Sequence, residues 1–277
     1  MATVRTRRQR LGQHFLRDPG IARAIAAALS GEPHRVLEIG PGHGALTRPL
    51  LKRFSTVRCI ELDRRLAAAL TGLLGNPAGL EVRCGDALEE DLDALAGDGP
   101  WQVAGNLPYS VATPVVRRLL PRRDLFTRLV VMVQLEVARR LVAPPGSSER
   151  GLLTLEAEAY ARGELLFTVP PGRFSPPPKV LSGVVRLELR PPAVEQEALD
   201  RALALASTAF LHRRKKLANA LGGRVAGEAA AACAAAGVDP GARPQELELA
   251  SWLDLAKRLP PDATPPANGR PRRGGGR

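Results

Sequence analysis

Short apolar runs alternate with helical patterns along the first half of the chain. Residues 36–39, 57–60, 80–84, 101–104 and 129–133 have the length and composition of buried β-strands. The run at 129–133 is entirely apolar, which is typical of a central strand covered on both faces. Helical patterns such as 63–74 lie between these runs, and a helix at 152–160 and strands at 165–169 and 180–189 follow. This alternation predicts a doubly wound α/β fold with a mostly parallel sheet.

The first helix has a clear start signal. Asp18 and Pro19 are suited to the N-cap and the first helical position. Ile21 and Ile25 then fall on one helical face. Residues 12–16 carry no periodic pattern, so on physical grounds alone they are expected to form a loop before this helix.

Changes in composition divide the chain into four segments. The apolar and charged pattern changes after Pro191 and Pro192 to one rich in Ala and Leu, which predicts a small helical domain. The last residues are rich in Pro, Gly and Arg and are expected to be disordered. The predicted segments are a basic arm at 1–11, the α/β domain at 12–191, the helical domain at 192–260 and a tail at 261–277.

A glycine-rich turn follows the first predicted strand. Gly40 and Gly42 allow a ligand to approach the backbone closely and to meet a helix N-terminus. With Ala45 they also satisfy the dinucleotide fingerprint. Glu61 ends the next strand about 20 residues on, where either an NAD enzyme or an S-adenosylmethionine enzyme holds a ribose. These features indicate a nucleoside-containing cofactor and leave its identity open.

The fourth predicted strand leads into the turn Gly105-Asn106-Leu107-Pro108-Tyr109. The amide of Asn106 offers an acceptor and two donors and does not titrate near neutral pH. Pro108 stiffens the turn, and the ring of Tyr109 can stack on a nucleobase. An exocyclic amine on a base needs acceptors around it and a platform beneath it, and this turn can supply both. The structural alternative is an ordinary loop with a buried Asn and a core Tyr.

Other polar residues have simpler interpretations. Asp86 leaves the third strand, where it can accept from an adenine amine or cap a helix. His14, His34, His43 and His212 are scattered without catalytic partners, so each is expected to be structural or at the surface.

The charge balance points to a polyanionic partner. The 277 residues include 40 Lys and Arg against 28 Asp and Glu, a net charge of +12, which favours nucleic acid over membrane. Four adjacent cations, Arg213, Arg214, Lys215 and Lys216, form either a solvated face or a phosphate contact. No apolar run approaches the roughly 18 residues of a membrane span. The 3 cysteines lack a C-x-x-C pattern and fit reduced thiols in a cytoplasmic protein without a metal site.

Taken in order, these motifs resemble the bacterial small-subunit rRNA adenine-N6 dimethyltransferases, the KsgA (RsmA) family. The matching stretches are 12–16, 36–47, 60–63, 85–87, 105–109, 133–138, 174–180 and 213–216, with Asn219 and Leu221. The glycine turn alone is weak evidence. The ordered set that includes Asn-Leu-Pro-Tyr and Phe-Ser-Pro-Pro-Pro-Lys-Val is strong evidence.

The resemblance implies a class I methyltransferase domain that uses S-adenosylmethionine as methyl donor. It implies dimethylation of N6 on two adjacent adenosines in a hairpin loop near the 3′ end of 16S rRNA, with a role in small-subunit biogenesis. The partner is then small-subunit rRNA or the pre-small ribosomal subunit, and the location is cytoplasmic. A monomer needs no special sequence feature and is expected.

The family pattern also implies roles for individual residues. The expected cofactor contacts are His14, Leu16, Glu38, Gly40, Gly42, Glu61, Asp86 and Asn106. Glu61 is expected to accept from the ribose hydroxyls and Asp86 from the adenine amine, while Glu38 orders the glycine turn from beneath. The family usually carries Asn where this chain has His14, although imidazole can still donate or accept.

For catalysis the resemblance implies Asn106, Leu107, Pro108, Tyr109 and Phe174. The Asn106 side chain and the Leu107 carbonyl hold the adenine amine, and Tyr109 and Phe174 stack on the two faces of the flipped base. The reaction is an in-line displacement that needs no strong general base. The cations of 213–216 are expected to bind RNA phosphates.

Three other functions remain open at this point. An Erm-type large-subunit (23S) rRNA adenine-N6 methyltransferase shares nearly every motif. Such enzymes usually have Ile and often Phe where this chain has Leu107 and Tyr109, so these two residues favour the small-subunit enzyme. An NAD-dependent dehydrogenase explains neither the 105–109 turn nor the basic charge. A non-catalytic ribosome assembly factor is disfavoured by the complete set of pocket residues.

Overall fold

The computed structural model describes residues 13–29, 31–97, 99–221 and 226–259, with the backbone alone at 226–228. The predicted basic arm and the predicted disordered tail lie outside these residues. The chain divides into two compact units. The first comprises Met1–Val142 and Tyr160–Pro191, and the second comprises Ala143–Ala159 and Pro192–Arg277. No helix within the described ranges is long and apolar enough to cross a membrane.

The first unit contains the predicted alternation of strands and helices. Its strands are β1 (Phe15–Leu16), β2 (Arg35–Ile39), β3 (Thr56–Glu61), β4 (Leu80–Cys84), β5 (Trp101–Asn106), β6 (Phe126–Gln134), β7 (Ala161–Val169), β8 (Phe174–Ser175) and β9 (Ser182–Leu189). Its helices are α1 (Pro19–Ala28), α2 (Thr47–Leu51), α3 (Arg64–Leu73), α4 (Leu92–Ala96), α5 (Ala112–Leu119) and α6 (Leu135–Leu141). A 3₁₀ turn spans Pro171–Arg173.

The main sheet of the described residues has seven strands in the order β4-β3-β2-β5-β6-β9-β7. The strands from β4 to β6 pair in parallel, and β9 pairs antiparallel with both β6 and β7. Along the chain, β3 and β4 are added on one side of β2, and β5 is then added on its other side. The direction in which strands are added therefore reverses between β2 and β5. The predicted doubly wound, mostly parallel sheet is confirmed. Such a reversal leaves a crevice at the carboxyl ends of the two strands, where these folds bind ligands.

Burial follows the predicted pattern at the centre of this sheet. Every residue of the apolar run 129–133 in β6 is fully buried, as expected for a strand covered on both faces. The fourth strand is longer than predicted, because β5 continues to Asn106 and pairs it with Met132 of β6. Asn106 is therefore fixed by the sheet ladder instead of lying in the turn.

A two-stranded sheet joins two segments that are distant in sequence. Phe15 pairs with Ser175, and Leu16 pairs with Phe174, in antiparallel register. The prediction of a plain loop at 12–16 is wrong here, because strands of two residues are too short to leave a periodic pattern in the sequence. The pairing holds the amino-terminal segment against the segment that precedes Pro176.

The start of α1 is confirmed in detail. The Asp18 side chain accepts from the backbone N–H groups of Gly20 and Ile21 at 2.8 and 3.1 Å, and Pro19 is the first helical residue. Asp18 also forms an ion pair of 2.9 Å with Arg173, next to the β1–β8 pairing.

The second unit is helical. Its helices are α7 (Leu152–Tyr160, of which Tyr160 belongs to the first unit), α8 (Gln196–Phe210), α9 (Leu217–Ala220), α10 (Ala226–Ala235) and α11 (Leu249–Arg258), with a 3₁₀ turn at Pro244–Glu246. Leu155 of α7 is part of its core, together with Leu205 and Trp252.

The predicted domain boundary differs from the structure in one segment. Residues 143–159, assigned from the sequence to the α/β domain, belong to the second unit. Arg150 explains this placement, because its fully buried guanidinium donates to the carbonyl oxygens of Ala143 and Leu247 and to both carboxylate oxygens of Glu158. A buried charge is tolerated when it is paired with an opposite charge and hydrogen-bonded in this way.

Candidate active site

A cavity of about 310 Å³ opens in the first unit at the carboxyl ends of β2, β3, β4 and β5. Its wall is built from residues 13–15, the glycine turn, the ends of β3 and β4, and the segment that follows β5. Of the residues predicted for the site, this wall contains His14, Gly40, Gly42, Glu61, Asp86, Asn106, Leu107, Pro108 and Tyr109. The sheet therefore brings most of the predicted site residues together.

The backbone of the glycine turn favours glycine at positions 40 and 42. Gly42 has φ +55°, and a Cβ atom there would lie 2.9 Å from the ring of Phe15. Gly40 has φ +70°, and its N–H donates to the carbonyl oxygen of Ile60 at 2.9 Å. Both positions need the left-handed conformation that glycine adopts without strain. The turn thus exposes backbone, without side chains, to the cavity.

Glu61 links the glycine turn to the end of β3. Its Oε2 accepts from the N–H of Gly42 at 3.0 Å, and its Oε1 accepts from the N–H of Asp63 at 2.9 Å. The side chain is 3% exposed and lines the cavity. A carboxylate oxygen has more than one acceptor site, so Glu61 can hold the turn and still accept from a ligand.

Glu38 lies behind the cavity wall. It is buried in β2 and is not among the residues that line the cavity, so a direct ligand contact is not what the structure provides. The Cys59 thiol lies 3.6 Å from its Oε2. Burial raises the pKa of Glu38 to about 7, against the opposing effect of hydrogen bonding from Thr47 and Cys59, and the nearby charge of Glu61 raises it further. The Glu38 carboxylate contacts Cys59 of β3, so its support of the glycine turn from beneath stays a prediction.

Asp86 organises the loop after β4. Its Oδ1 accepts from the N–H of Leu88 at 2.9 Å, and its carbonyl oxygen accepts from the N–H groups of Glu89 and Glu90 at 2.9 Å each. The alternative that Asp86 caps a helix is wrong, because α4 has Asp91 as its N-cap. Asp86 lines the cavity, and the turn bond uses only one of its two carboxylate oxygens.

Asn106 and His14, which both line the cavity, are joined by a hydrogen bond. The side-chain Nδ2 of Asn106 donates to the backbone carbonyl oxygen of His14 at 2.8 Å. The imidazole Nδ1 of His14 lies 2.8 Å from the carbonyl oxygen of Pro176, which can only accept, so this nitrogen carries the hydrogen. Both segments joined by the β1–β8 pairing therefore help to fix the Asn106 amide.

Tyr109 stands beside His14 with its ring in the cavity wall. The two ring centroids are 5.4 Å apart at an interplanar angle of 35°. The Tyr109 hydroxyl lies 2.8 Å from the Oγ of buried Ser182, and burial raises the pKa of this tyrosine. The Pro108 carbonyl accepts from the N–H groups of Val111 and Ala112 at 3.0 Å each, so the turn is continuous with the start of α5.

Two predicted residues are placed elsewhere. Leu16 and Phe174 are paired across β1 and β8, are 6% and 4% exposed, and belong to the hydrophobic core. Neither lines the cavity, which corrects the prediction of a cofactor contact at Leu16 and of a base-stacking ring at Phe174. Side chains alternate along a strand, so Phe15 faces the cavity when Leu16 faces the core. Gln13 and Phe15 are among the lining residues that the sequence did not identify, and this alternation is the signal that could have found Phe15.

The basic run lies in the second unit, between α8 and α9. All four cations are exposed. Arg213 differs from the other three, because its Nη2 donates to the carbonyl oxygens of Ser148 and Arg150. It therefore holds the 148–150 loop, whereas Arg214, Lys215 and Lys216 present their charges to solvent.

Comparison with known proteins decides the family. The family model described as ribosomal RNA adenine dimethylase matches residues 4–260. This chain belongs to the ribosomal RNA adenine dimethylase family. As a member of this family it is an enzyme, and it methylates adenine in ribosomal RNA with S-adenosylmethionine as donor. The NAD-dependent dehydrogenase alternative is therefore wrong.

The alignments with several relatives of this dimethylase span nearly the whole length of each relative. A protein of Methylococcus capsulatus named ribosomal RNA small subunit methyltransferase A is 42% identical over 257 residues, which are 92% of this chain and 98% of the relative. A protein of Laribacter hongkongensis with the same name is 41% identical, over 91% of this chain and 95% of the relative.

Two solved structures also match this dimethylase over most of the chain. The 23S rRNA methyltransferase ErmE is 30% identical, with a TM-score of 0.71 over 88% of this chain and 99% of that chain. A dimethyladenosine transferase from Plasmodium falciparum is 25% identical, with a TM-score of 0.70 over 87% of this chain and 96% of that chain.

The cavity of the dimethylase fits a nucleoside-containing methyl donor. A Cβ at Gly40 would meet only the carbonyl oxygen of Asn106, at 4.0 Å, so this glycine leaves room for a ligand against the backbone, whereas Phe15 fills the space beside Gly42. Two carboxylates, Glu61 and Asp86, stand at the ends of adjacent parallel strands, where hydroxyl and amine donors of a nucleoside can reach them. The apolar walls from Ile39 and Ile60 suit a purine ring.

Proposed function

We propose that this dimethylase transfers methyl groups to N6 of two adjacent adenosines in small-subunit (16S) rRNA. The named relatives at about 40% identity over nearly full length are small-subunit enzymes, which supports this substrate. Leu107 and Tyr109 in the turn after β5 favour the same substrate. The observation that carries the catalytic part is the contact between Asn106 and His14, because it turns the amide oxygen Oδ1 of Asn106 away from the His14 carbonyl.

The cofactor is held, in this proposal, by residues at three strand ends. Gly40 and Gly42 pass along its methionine part, Glu61 accepts from the ribose hydroxyls, and the second oxygen of Asp86 accepts from the adenine amine. Glu61 also holds the N–H of Gly42, so the ribose contact and the shape of the glycine turn depend on the same side chain. Glu38 acts from behind the wall, and His14 contributes through its backbone and its ring.

The target base lies, in this proposal, at the turn after β5. The Oδ1 of Asn106 and the carbonyl oxygen of Leu107 accept the two hydrogens of the adenine amine. Their acceptance favours a tetrahedral nitrogen, which localises the lone pair otherwise delocalised into the ring and directs it toward the methyl group. The ring of Tyr109 stacks on one face of the base, a contact that contributes about 1–3 kcal/mol. The base must be flipped out of its stack to reach this position.

The bound donor supplies a methyl group that is already activated by its positively charged sulfur. The residues of the chain then need only hold the amine in line, and orientation alone can lower a barrier by about 7–11 kcal/mol. N6 would form the new N–C bond as the C–S bond breaks with its electron pair left on sulfur, and the alkylated nitrogen would release its proton to water. No side chain has to act as a strong base. A second transfer needs a pocket that accepts a monomethylated amine, and one amine hydrogen then remains for Asn106.

RNA is bound, in this proposal, with help from the exposed cations of the second unit. Arg214, Lys215 and Lys216 contact phosphates, while Arg213 shapes the loop beside them. The net charge of +12 attracts RNA at longer range. We expect the protein to act as a monomer in the cytoplasm, on naked rRNA or on the pre-small ribosomal subunit.

The similarity to ErmE keeps one alternative, methylation of large-subunit (23S) rRNA. The test offers separated, unmethylated small and large ribosomal subunits to the protein with labelled S-adenosylmethionine. The proposal predicts dimethyladenosine in the small-subunit RNA only. Label in the large subunit would identify an Erm-type enzyme. Bound cofactor without transfer to either would favour an assembly factor.

A further inference from the structure

We infer that Arg118, on α5, is a positioning residue that sets how the enzyme recognises the adenine of its cofactor. This inference rests on the proposed contact between Asp86 and the adenine amine. Arg118 does not line the cavity. It acts through the loop that carries Asp86.

The guanidinium of Arg118 donates to two backbone carbonyls of that loop, on what we call its outer side. Its Nη1 donates to the carbonyl oxygen of Ala87 at 2.6 Å, and its Nη2 donates to the carbonyl oxygen of Glu90. The planar fork of an arginine can serve two acceptors at once in a fixed geometry, which a lysine cannot. The two carbonyls flank the turn in which Leu88 donates to Asp86.

The inner side of the loop is held by backbone contacts. The N–H of Gly85 donates to the carbonyl oxygen of Glu61 at 3.0 Å, and the Asp86 carbonyl accepts from Glu89 and Glu90. A Cβ at Gly85 would lie 2.2 Å from the Glu90 carboxylate, so the loop folds tightly back on itself. With the inner side fixed by β3, the guanidinium determines where the outer side lies, and hence where the second oxygen of Asp86 points.

The same helix begins at the substrate turn. Val111 and Ala112 donate to the carbonyl oxygen of Pro108 at the start of α5, and Arg118 is in its last turn. One rigid helix thus connects the residues proposed to hold the target base with the loop proposed to hold the cofactor base. The length of α5 therefore fixes the distance between the turn after β5 and the loop that carries Asp86.

The test measures preference for the adenine amine, not only affinity. Two ligands are titrated against each variant: S-adenosylhomocysteine, and its analogue in which hydrogen replaces the 6-amino group. The wild-type protein is expected to prefer the amine by about tenfold, the factor that a hydrogen bond to a charged acceptor contributes. Arg118→Met should lose most of this preference, and Arg118→Lys, which can serve one carbonyl, should lose part of it.

Two control variants separate the possible causes of a lost preference for the adenine amine. Arg117→Met removes the same charge from the exposed face of the same turn and should keep the preference. Asp86→Asn keeps an oxygen for the Leu88 contact but replaces the second oxygen by an amide donor, so it should abolish the preference. If Asp86→Asn keeps the preference, the assignment of Asp86 to the adenine amine is wrong. The inferred role of Arg118 is then wrong as well.

A wild-type preference in Arg118→Met overturns the inference even if both ligands bind more weakly, because a merely structural role weakens both equally. Circular dichroism confirms that each variant is folded. Should Arg118→Met not fold, Arg118→Lys decides the matter: an unchanged preference there overturns the inference, and a reduced one supports it.

Discussion

The Asn106 side chain donates through Nδ2 to the backbone carbonyl oxygen of His14 at 2.8 Å, between residues that are 92 positions apart. A carbonyl oxygen can only accept, so the amide nitrogen must face it and Oδ1 must face away. The His14 segment is itself held by the contact of its Nδ1 with Pro176 and by the β1–β8 pairing. The acceptor that we propose for the adenine amine is therefore oriented by the amino-terminal motif.

The Tyr109 ring and its hydroxyl are predicted to have separable roles. Tyr109→Phe keeps the ring and loses the contact with Ser182, so turnover should stay near wild type while stability falls by about 1 kcal/mol. Tyr109→Ala removes the stacking surface and should weaken capture of the base by about 10- to 100-fold. Ser182→Ala is the matched control, because it loses the same hydrogen bond from the other side. Steady-state kinetics on RNA check this, and full turnover by Tyr109→Ala would show that the ring is only structural.

Glu38 is predicted to make stability fall as the pH rises. Its folded pKa of about 7 lies above its ordinary 4.5, so the folded state holds the extra proton between these values. By linkage this group contributes stability at low pH that is lost as the pH rises through about 7, on the order of 3 kcal/mol in total.

Glu38→Gln keeps the shape of the side chain and removes the titration. The unfolding free energy of the wild type relative to this variant should therefore decrease between about pH 5 and about pH 8. Urea unfolding at several pH values measures the difference. A difference that does not change with pH contradicts the assignment.

Gly42 and Phe15 are predicted to be energetically coupled. Gly42→Ala should cost about 1 kcal/mol for the backbone conformation and a further 1–3 kcal/mol for the overlap with the Phe15 ring. Gly75→Ala is the control, because Gly75 has φ +84° but nothing within 4 Å of a Cβ. A double-mutant cycle with Phe15→Ala should recover the overlap part. Equal losses for Gly42→Ala and Gly75→Ala would show that the ring does not restrict position 42.

The four cations of 213–216 are predicted to fall into two classes. Replacing Arg214, Lys215 and Lys216 with Gln should reduce the slope of log affinity against log salt by about 2–3, since each phosphate contact contributes roughly 0.7–0.9. Arg213→Gln should affect stability more than the slope, because its guanidinium holds the 148–150 loop. RNA binding at several salt concentrations checks both, and an unchanged slope in the triple variant excludes phosphate contact there.

The sequence predicts the sheet well because its signals are local. Apolar runs such as 129–133 and caps such as Asp18 depend on neighbouring residues, and the structure has them where expected. The ends of strands and helices are harder to predict from the sequence, as the extension of β5 to Asn106 shows. There the parallel pairing with Met132 of β6 continues the strand, and no local pattern encodes that pairing.

The remainder of the site depends on contacts between distant residues. Phe174 was expected above the base, but its pairing with Leu16 places it in the core. The transfer of residues 143–159 to the second unit depends on Arg150 reaching Leu247. The sequence carries no signal for the role of Arg118, because its partners are backbone carbonyls of a loop.

The most direct test of the account is the yield of dimethyladenosine from Asn106 variants, measured beside their affinity for RNA. Asn106→Ala removes the proposed acceptor, and Asn106→Asp replaces the donor to the His14 carbonyl with a repelling oxygen. Both should lower turnover by about 100- to 1,000-fold, the range seen when one preorganised hydrogen-bonding group is lost. RNA affinity should remain close to wild type in both. Turnover near wild type in Asn106→Ala, or an equal loss of RNA binding, would contradict the account.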